Sequence, residues 1–170
     1  MVTRDSQRAA VYDAERLVRV AFDRADETST RTVEVHGSRI TLPVERRFAS
    51  VDSVQTYVDK VLALNWVRAG WERAAAPVRV RARAGNTAAH YEPEGAVLAV
   101  PVHTGATAWA LRELVVLHEL AHHLEPTGST LAAHGPEFCA RYVELVDGII
   151  GAEAAFLLRT SLHGCGARGA

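Results

Sequence analysis

The sequence predicts an α+β fold, in which a small, mostly antiparallel sheet packs with helices in one domain spanning residues 1–170. Three observations predict this class. Several segments repeat apolar residues at helical spacing, others alternate apolar and polar residues as strands do, and one apolar helix-length run carries two histidines four residues apart. The length suits one domain with a sizeable core, and contents of 48% hydrophobic and 23% charged residues are ordinary for a globular protein.

The chain begins with a predicted helix followed by a hairpin. Residues 5–25 have the pattern of an amphipathic helix, and residues 32–35 and 40–42 alternate like strands around a turn at His36-Gly37-Ser38. His36 is expected to be a turn residue rather than a metal ligand, because nothing near it in the sequence completes a metal site. The predicted apolar stripe of the helix consists of Ala10, Ala14, Leu17, Val18 and Ala21.

A second helix is predicted from a cap at Ser50 or Asp52 to about residue 67. Further along, residues 95–101 form a short apolar run with the length of a strand. Pro101 cannot donate a ladder hydrogen bond, which suits the end of a strand or the edge of a sheet.

Between these two segments, residues 77–84 alternate strictly and predict a half-buried strand. Arg79, Arg81 and Arg83 share one face of it. Such a row could bind an acidic partner or nucleic acid, but the formal net charge of −1 favours a solvated sheet face.

The C-terminal half is predicted to be helical. Thr107 is a good cap for a helix from residue 108 to about residue 124, which Pro126 and Gly128 then end. Two more helices are expected at residues 137–147 and 152–162, separated by Gly148 or Gly151. The Gly-rich tail, residues 163–170, is expected to be flexible.

The first of these helices contains an H-E-x-x-H motif. His118 and His122 are four residues apart, so both imidazoles leave the same helix face and can reach one Zn²⁺ at about 2.0–2.1 Å. Glu119 leaves the helix roughly a quarter-turn away from the two histidines but stays close enough to contact a water at the metal. This is the position that a general base requires. His123 is displaced by about 100° from its neighbour and cannot share the same metal.

A third histidine follows the helix break. Gly135-Pro136 is a helix start, with Glu137 beside its positive end, and it would hold His134 just before that helix. Three imidazoles with an open fourth position make a catalytic zinc site. The competing scheme takes Glu144 as the third ligand, with Asp147 behind it, and ranks below His134 because Glu144 is unremarkable on an amphipathic helix.

The pattern His118-Glu119-x-x-His122 followed by His134-Gly135-Pro136-Glu137-Phe138-Cys139 resembles that of the SprT-like (Spartan-type) zincin metallopeptidases. It is also similar to uncharacterised bacterial proteins with HExxH and HGPEF that are classed as metallohydrolases. The close match covers residues 115–142. It implies a zincin-like minimal metallopeptidase domain, His118, His122 and His134 as zinc ligands, and Glu119 as catalytic base.

The resemblance has two further consequences. In zincins the strand before the motif helix is commonly an edge along the cleft, so residues 96–101 become the candidate substrate-lining edge. Spartan-type proteins often carry a zinc ribbon or basic tails for DNA, and this chain has no C-x-x-C and no basic tail. DNA-coupled proteolysis is therefore not carried over.

The sequence does not match the metzincin pattern, because Glu125 and Gly128 stand where that pattern requires Gly and His.

The expected function is zinc-dependent hydrolysis of an amide bond through a Zn²⁺-activated water, with Glu119 as general base. The expected partner is a peptide or protein substrate. Two alternatives stay open: a non-catalytic zincin-fold module that binds a peptide or protein, and a regulatory protease that cuts a repressor-like partner. Many such enzymes add a side chain that holds the oxyanion, and the sequence offers four for that role: Tyr91, His103, Arg141 and Tyr142.

Composition also predicts the compartment. The first residues are polar and lead into no long apolar run, so neither a signal peptide nor a membrane span is expected. Cys139 and Cys165 do not suggest a disulfide framework. A cytoplasmic protein with no membrane partner and no nucleic-acid partner is the simplest interpretation.

Overall fold

The computed structural model describes residues 3–84, 88–101 and 111–169. It has the α+β composition that the sequence predicts, and the chain divides into two compact units, Met1–Glu45 with Thr130–Ala170 and Arg46–Ser129. Within the described residues the elements are α1 (Arg8–Thr28), β1 (Thr32–Val35), β2 (Ser38–Thr41), α2 (Val51–Leu62), α3 (Asn65–Gly70), β3 (Arg79–Arg83), β4 (His90–Glu92), β5 (Val97–Pro101), α4 (Glu113–His123), α5 (Pro136–Ile149) and α6 (Ala152–Gly164).

Three helices form the core of the first unit, where α6 packs against both α1 and α5. The apolar stripe predicted for α1 is partly wrong, because the Leu17 residue is 47% exposed. The helical repeat allows overlapping stripes in this segment, and the one that is buried includes the large Phe22 side chain instead. The buried apolar residues of α1 are Val11, Ala14, Val18, Phe22 and Ala25.

The predicted hairpin is present, but its second strand begins at Ser38, which the sequence places in the turn. Strands β1 and β2 are antiparallel, with Val35 opposite Ser38. The two residues between them, His36 and Gly37, have φ angles of 48° and 78°. Positive φ at both central positions is the type I′ turn, which matches the twist of the strands, and it accounts for His36 without a metal.

In the second unit, α2 begins where the sequence predicts but ends earlier. The Ser50 hydroxyl accepts a hydrogen bond from the Ser53 backbone N–H at 3.2 Å, and the Ser53 hydroxyl accepts one from the Ser50 backbone N–H at 3.1 Å, which completes a capping box. The predicted end near residue 67 is wrong, because Leu64 is extended and separates α2 from the short α3.

The second unit contains a mixed three-stranded sheet in the order β3-β5-β4. Strand β5 is parallel to β3 and antiparallel to β4, which corrects the prediction of a mostly antiparallel sheet. The predicted substrate-lining edge, residues 96–101, is also wrong, because β5 is the central strand and all five of its residues are buried. A continuous apolar run without alternation is typical of a strand that is covered on both faces.

The motif helix α4 begins at Glu113, and the predicted cap Thr107 lies outside the described residues. Glu113 is fully buried and accepts hydrogen bonds from the Tyr57 hydroxyl at 2.7 Å and the Arg46 backbone N–H at 3.1 Å. Its carboxylate also lies at the positive end of the helix, which stabilises the charge. The residues predicted to bury beneath the motif, Leu114, Leu117, Ala121 and Leu124, are all buried.

None of the described helices is both long enough and apolar enough to cross a membrane.

Candidate metal centre

The first two histidines of the candidate centre lie on α4. His118 and His122 are one helical turn apart, and their ring centroids lie 5.0 Å apart. The two Nε2 atoms face each other at 3.3 Å. His118 is buried and His122 is half-buried. The helix therefore presents two imidazole nitrogens together, as the sequence spacing predicts.

The third histidine precedes α5, also as predicted. The Gly135 backbone N–H donates to the Ala132 carbonyl at 2.9 Å, which closes a turn around His134. Gly135 is the N-cap of α5 and Pro136 is its first residue. A side chain at position 135 would be crowded, because its Cβ would lie 3.1 Å from the Ala132 carbonyl oxygen.

The His134 ring is fixed by residues from the N-terminal segment and from α5. Its Nδ1 lies 2.7 Å from Oδ2 of Asp5, and its backbone N–H donates to Oδ1 of the same carboxylate at 3.2 Å. The ring also packs between Tyr12 and Phe138, with centroid distances of 5.3 and 5.0 Å. His134 itself is only 5% exposed.

Gln7 joins the His134 backbone to the C-terminal segment. Its Nε2 donates to the His134 carbonyl at 3.2 Å, and its Oε1 accepts from the Arg168 backbone N–H at 2.9 Å. The tail that the sequence predicts to be flexible begins inside α6. Farther on, Gly169, with φ of 95°, approaches the Pro136 backbone so closely that a Cβ would not fit.

The structure brings the three predicted ligands together. One candidate ligand atom from each of His118, His122 and His134 lies within 4.8 Å of the other two. Two nitrogens bound at about 2.0–2.1 Å to a tetrahedral Zn²⁺ are about 3.3–3.4 Å apart. The separation of 3.3 Å between the Nε2 atoms of His118 and His122 fits that geometry. A donor set of three imidazoles also suits zinc chemically. The three buried or half-buried histidines can therefore hold a metal ion.

Two other side chains near these residues in the sequence do not join the cluster. Glu144, the alternative third ligand, is exposed on α5 and lies outside the group of candidate ligand atoms. The Cys139 thiol is fully buried, and burial, with the Asp5 charge second, raises its pKa to about 11. A thiol that keeps its proton is a poor metal ligand.

Glu119, the predicted general base, is 4% exposed and follows His118 on α4. Its catalytic role stays a prediction.

His123 has a different environment from its neighbour. It is fully buried, and its Nε2 lies 3.0 and 3.1 Å from the backbone carbonyls of Arg73 and Ala76. Carbonyls only accept, so we assign the proton to Nε2, and Nδ1 then accepts from the Tyr91 hydroxyl at 2.9 Å. Burial, and then the charge of Arg73, lower the pKa of His123 below its usual value. His123 is therefore a neutral, hydrogen-bonded core residue.

Of the four side chains that the sequence offers for oxyanion stabilisation, both tyrosines form hydrogen bonds to other side chains. The Tyr91 hydroxyl donates its proton to Nδ1 of His123, and the same hydroxyl oxygen accepts a hydrogen bond from Arg73 at 3.0 Å. Tyr142 is fully buried and donates to Glu15 at 3.2 Å, and burial raises its pKa well above the usual value. Arg141 is buried, and His103 lies outside the described residues.

Sequence reasoning missed Asp5, Gln7 and Arg73. Asp5 and Gln7 lie in a polar segment before α1 and contact His134 across 129 and 127 positions of sequence. Arg73 donates to the His123 carbonyl at 2.7 Å, which satisfies a carbonyl at the end of α4. No local pattern marks any of these three contacts.

Comparison with known proteins adds no relative: no protein-family model, no curated protein and no solved structure matches the chain.

Proposed function

We propose that this protein is a zinc-dependent metallohydrolase, most specifically a metallopeptidase that hydrolyses an amide bond. The observation that carries the proposal is the convergence of His118, His122 and His134 within 4.8 Å. Three neutral imidazoles leave a tetrahedral ion one open position, which is the arrangement of catalytic zinc and not of structural zinc. The buried carboxylate of Glu119, next to the first ligand, supports the catalytic form of the proposal.

When bound, Zn²⁺ lowers the pKa of water towards about 7 and polarises a substrate carbonyl. The chain supplies the proton transfers. Glu119 accepts a proton as water attacks the carbonyl carbon, and then delivers that proton to the departing amine nitrogen. Glu119 is itself 4% exposed, and a carboxylate that is largely shielded from bulk water interacts more strongly with nearby charges.

We also propose a family and a cellular location for this protein. The HExxH and HGPEF segments support a SprT-like, zincin-like domain. A cytoplasmic location is part of the same proposal and is supported by the two free cysteines, Cys139 and Cys165, because unpaired thiols suit a reducing compartment.

The test is cleavage of a mixed library of peptides by zinc-loaded protein, with new N-termini identified by mass spectrometry. Wild-type protein is expected to cleave amide bonds in the library. Glu119→Gln keeps the shape of the side chain but removes the base, so the cleavage rate should fall by at least about 100-fold while zinc remains bound.

Glu144→Gln is the matched control, because it makes the same chemical change at an exposed position on α5. It should leave both zinc content and cleavage rate at the wild-type level. The catalytic proposal is wrong if zinc-loaded wild-type protein cleaves nothing in the library, or if Glu119→Gln cleaves at the wild-type rate.

A further inference from the structure

The carboxylate of Asp5 contacts His134 through two separate hydrogen bonds. One oxygen accepts from the His134 backbone N–H at 3.2 Å, and the other lies 2.7 Å from Nδ1 of the ring. A carboxylate accepts and does not donate when ionised, so the ring nitrogen facing it carries the proton. An imidazole with its proton on Nδ1 binds a metal through Nε2.

We infer that Asp5 is a positioning residue for the metal centre. Its carboxylate holds His134 in the Nδ1–H tautomer and thereby orients Nε2 of the ring for metal binding. The inference rests on the proposed function, since it concerns a ligand of the same site. It assigns a role to a residue that lies outside the H-E-x-x-H and H-G-P-E-F segments.

Among the described contacts of His134, the one with the Asp5 carboxylate is the contact that distinguishes the two ring nitrogens. The rings of Tyr12 and Phe138 restrict the tilt of the imidazole but do not distinguish its two nitrogens. Gln7 bonds to the backbone carbonyl and not to the ring. Among these contacts, only the one from Asp5 is made to Nδ1. The negative charge of Asp5 also makes the imidazole a more basic ligand.

The substitution Asp5→Asn separates shape from charge. The carboxylate presents two acceptor oxygens to two donors of His134, whereas an amide has one oxygen and one NH₂ group. The NH₂ group would therefore face a donor, either the backbone N–H or Nδ1–H. The amide thus fits the space but loses one of the two bonds and the charge.

The experiment is a competition titration of zinc against a chelator with wild-type, Asp5→Asn and Asp5→Ala proteins. Both variants are expected to bind one zinc with an affinity about 10–100-fold below wild type, the usual effect of removing a group that orients a metal ligand. Asp13→Asn is the matched control, because Asp13 is an exposed carboxylate on α1 that pairs only with Arg16 in the described contacts. Its affinity should equal that of wild type. An Asp5→Asn protein with wild-type affinity overturns the inference.

A second readout needs no metal. Nitrogen-15 NMR of the His134 ring in metal-free protein is expected to show the proton on Nδ1 in wild type and a mixture of tautomers in Asp5→Ala. A wild-type ring protonated on Nε2 overturns the role of Asp5, whatever the metal affinity. A wild-type protein with the Nδ1–H tautomer that binds no zinc instead contradicts the proposed function, so the two failures are distinguishable.

Discussion

His122 and His123 are adjacent residues of the same type on one helix, yet their environments differ completely. His122 is half-buried, and its Nε2 faces Nε2 of His118 at 3.3 Å. His123 is fully buried, with hydrogen bonds from its ring to Tyr91 and to the backbone of Arg73 and Ala76. A rotation of about 100° along the helix separates a candidate metal ligand from a core residue.

The difference lies in what the described contacts place against each ring. Nε2 of His122 and Nε2 of His118 lie at the separation expected of two nitrogens that bind one Zn²⁺, which makes His122 a candidate ligand. A ring whose two nitrogens each have a protein partner has no lone pair left for a metal. We therefore expect substitutions at the two positions to affect different properties of the protein: metal affinity at His122 and stability at His123.

The largest expected effect is loss of metal from His122→Ala. Removing one of three ligands should weaken zinc binding by more than about 100-fold, since even removal of a group behind a ligand costs about 10–100-fold. The free energy of unfolding of the metal-free protein should change by less than about 1 kcal/mol, because the side chain is only half-buried. Zinc titration and urea denaturation measure the two quantities.

The opposite behaviour is expected of His123→Ala. The substitution removes a fully buried ring together with its hydrogen bonds to the carbonyls of Arg73 and Ala76, so the free energy of unfolding should fall by about 2 kcal/mol. Zinc affinity of the folded fraction should stay within a few-fold of wild type. His163→Ala, at an exposed position on α6, is the control and should change neither property. A His123→Ala protein that is fully stable but binds no zinc would reverse the comparison.

A smaller effect is expected of Tyr91→Phe, which removes one hydroxyl and keeps the ring. Nδ1 of His123 loses its 2.9 Å donor and keeps the longer contact to Arg73 at 3.5 Å, so stability should fall by about 1 kcal/mol. Combining Tyr91→Phe with His123→Ala measures whether the two residues act through the same bond. Their effects should then be less than additive, and strict additivity contradicts the assigned hydrogen bond.

The sequence is most informative where the site depends on local geometry. Helical spacing predicts that His118 and His122 share a face, and the Gly135-Pro136 pair predicts a helix start beside His134. Both predictions are confirmed. The turn at His36-Gly37 and the cap at Ser50 are confirmed for the same reason, since a few neighbouring residues determine each of them.

The sequence is least informative where distant segments meet. The order of strands in the sheet depends on pairing between segments, so the proline at the end of an apolar strand predicts an edge position although β5 is central. The buried face of α1 depends on the elements that pack against it, so helical spacing alone wrongly predicts that Leu17 is buried. Asp5 reaches His134 across 129 positions, a contact that no local pattern of residue types predicts.

Whether three histidines hold one zinc ion can be measured as the zinc content per chain of purified wild-type protein and of His134→Ala, determined by elemental mass spectrometry. We expect about one zinc per wild-type chain and almost none in a folded His134→Ala protein, because a site of three imidazoles loses one of its ligands. A folded wild-type protein that contains no zinc and takes up none when it is added would rule out the metal centre. A His134→Ala protein that keeps its zinc in full would rule out His134 as a ligand.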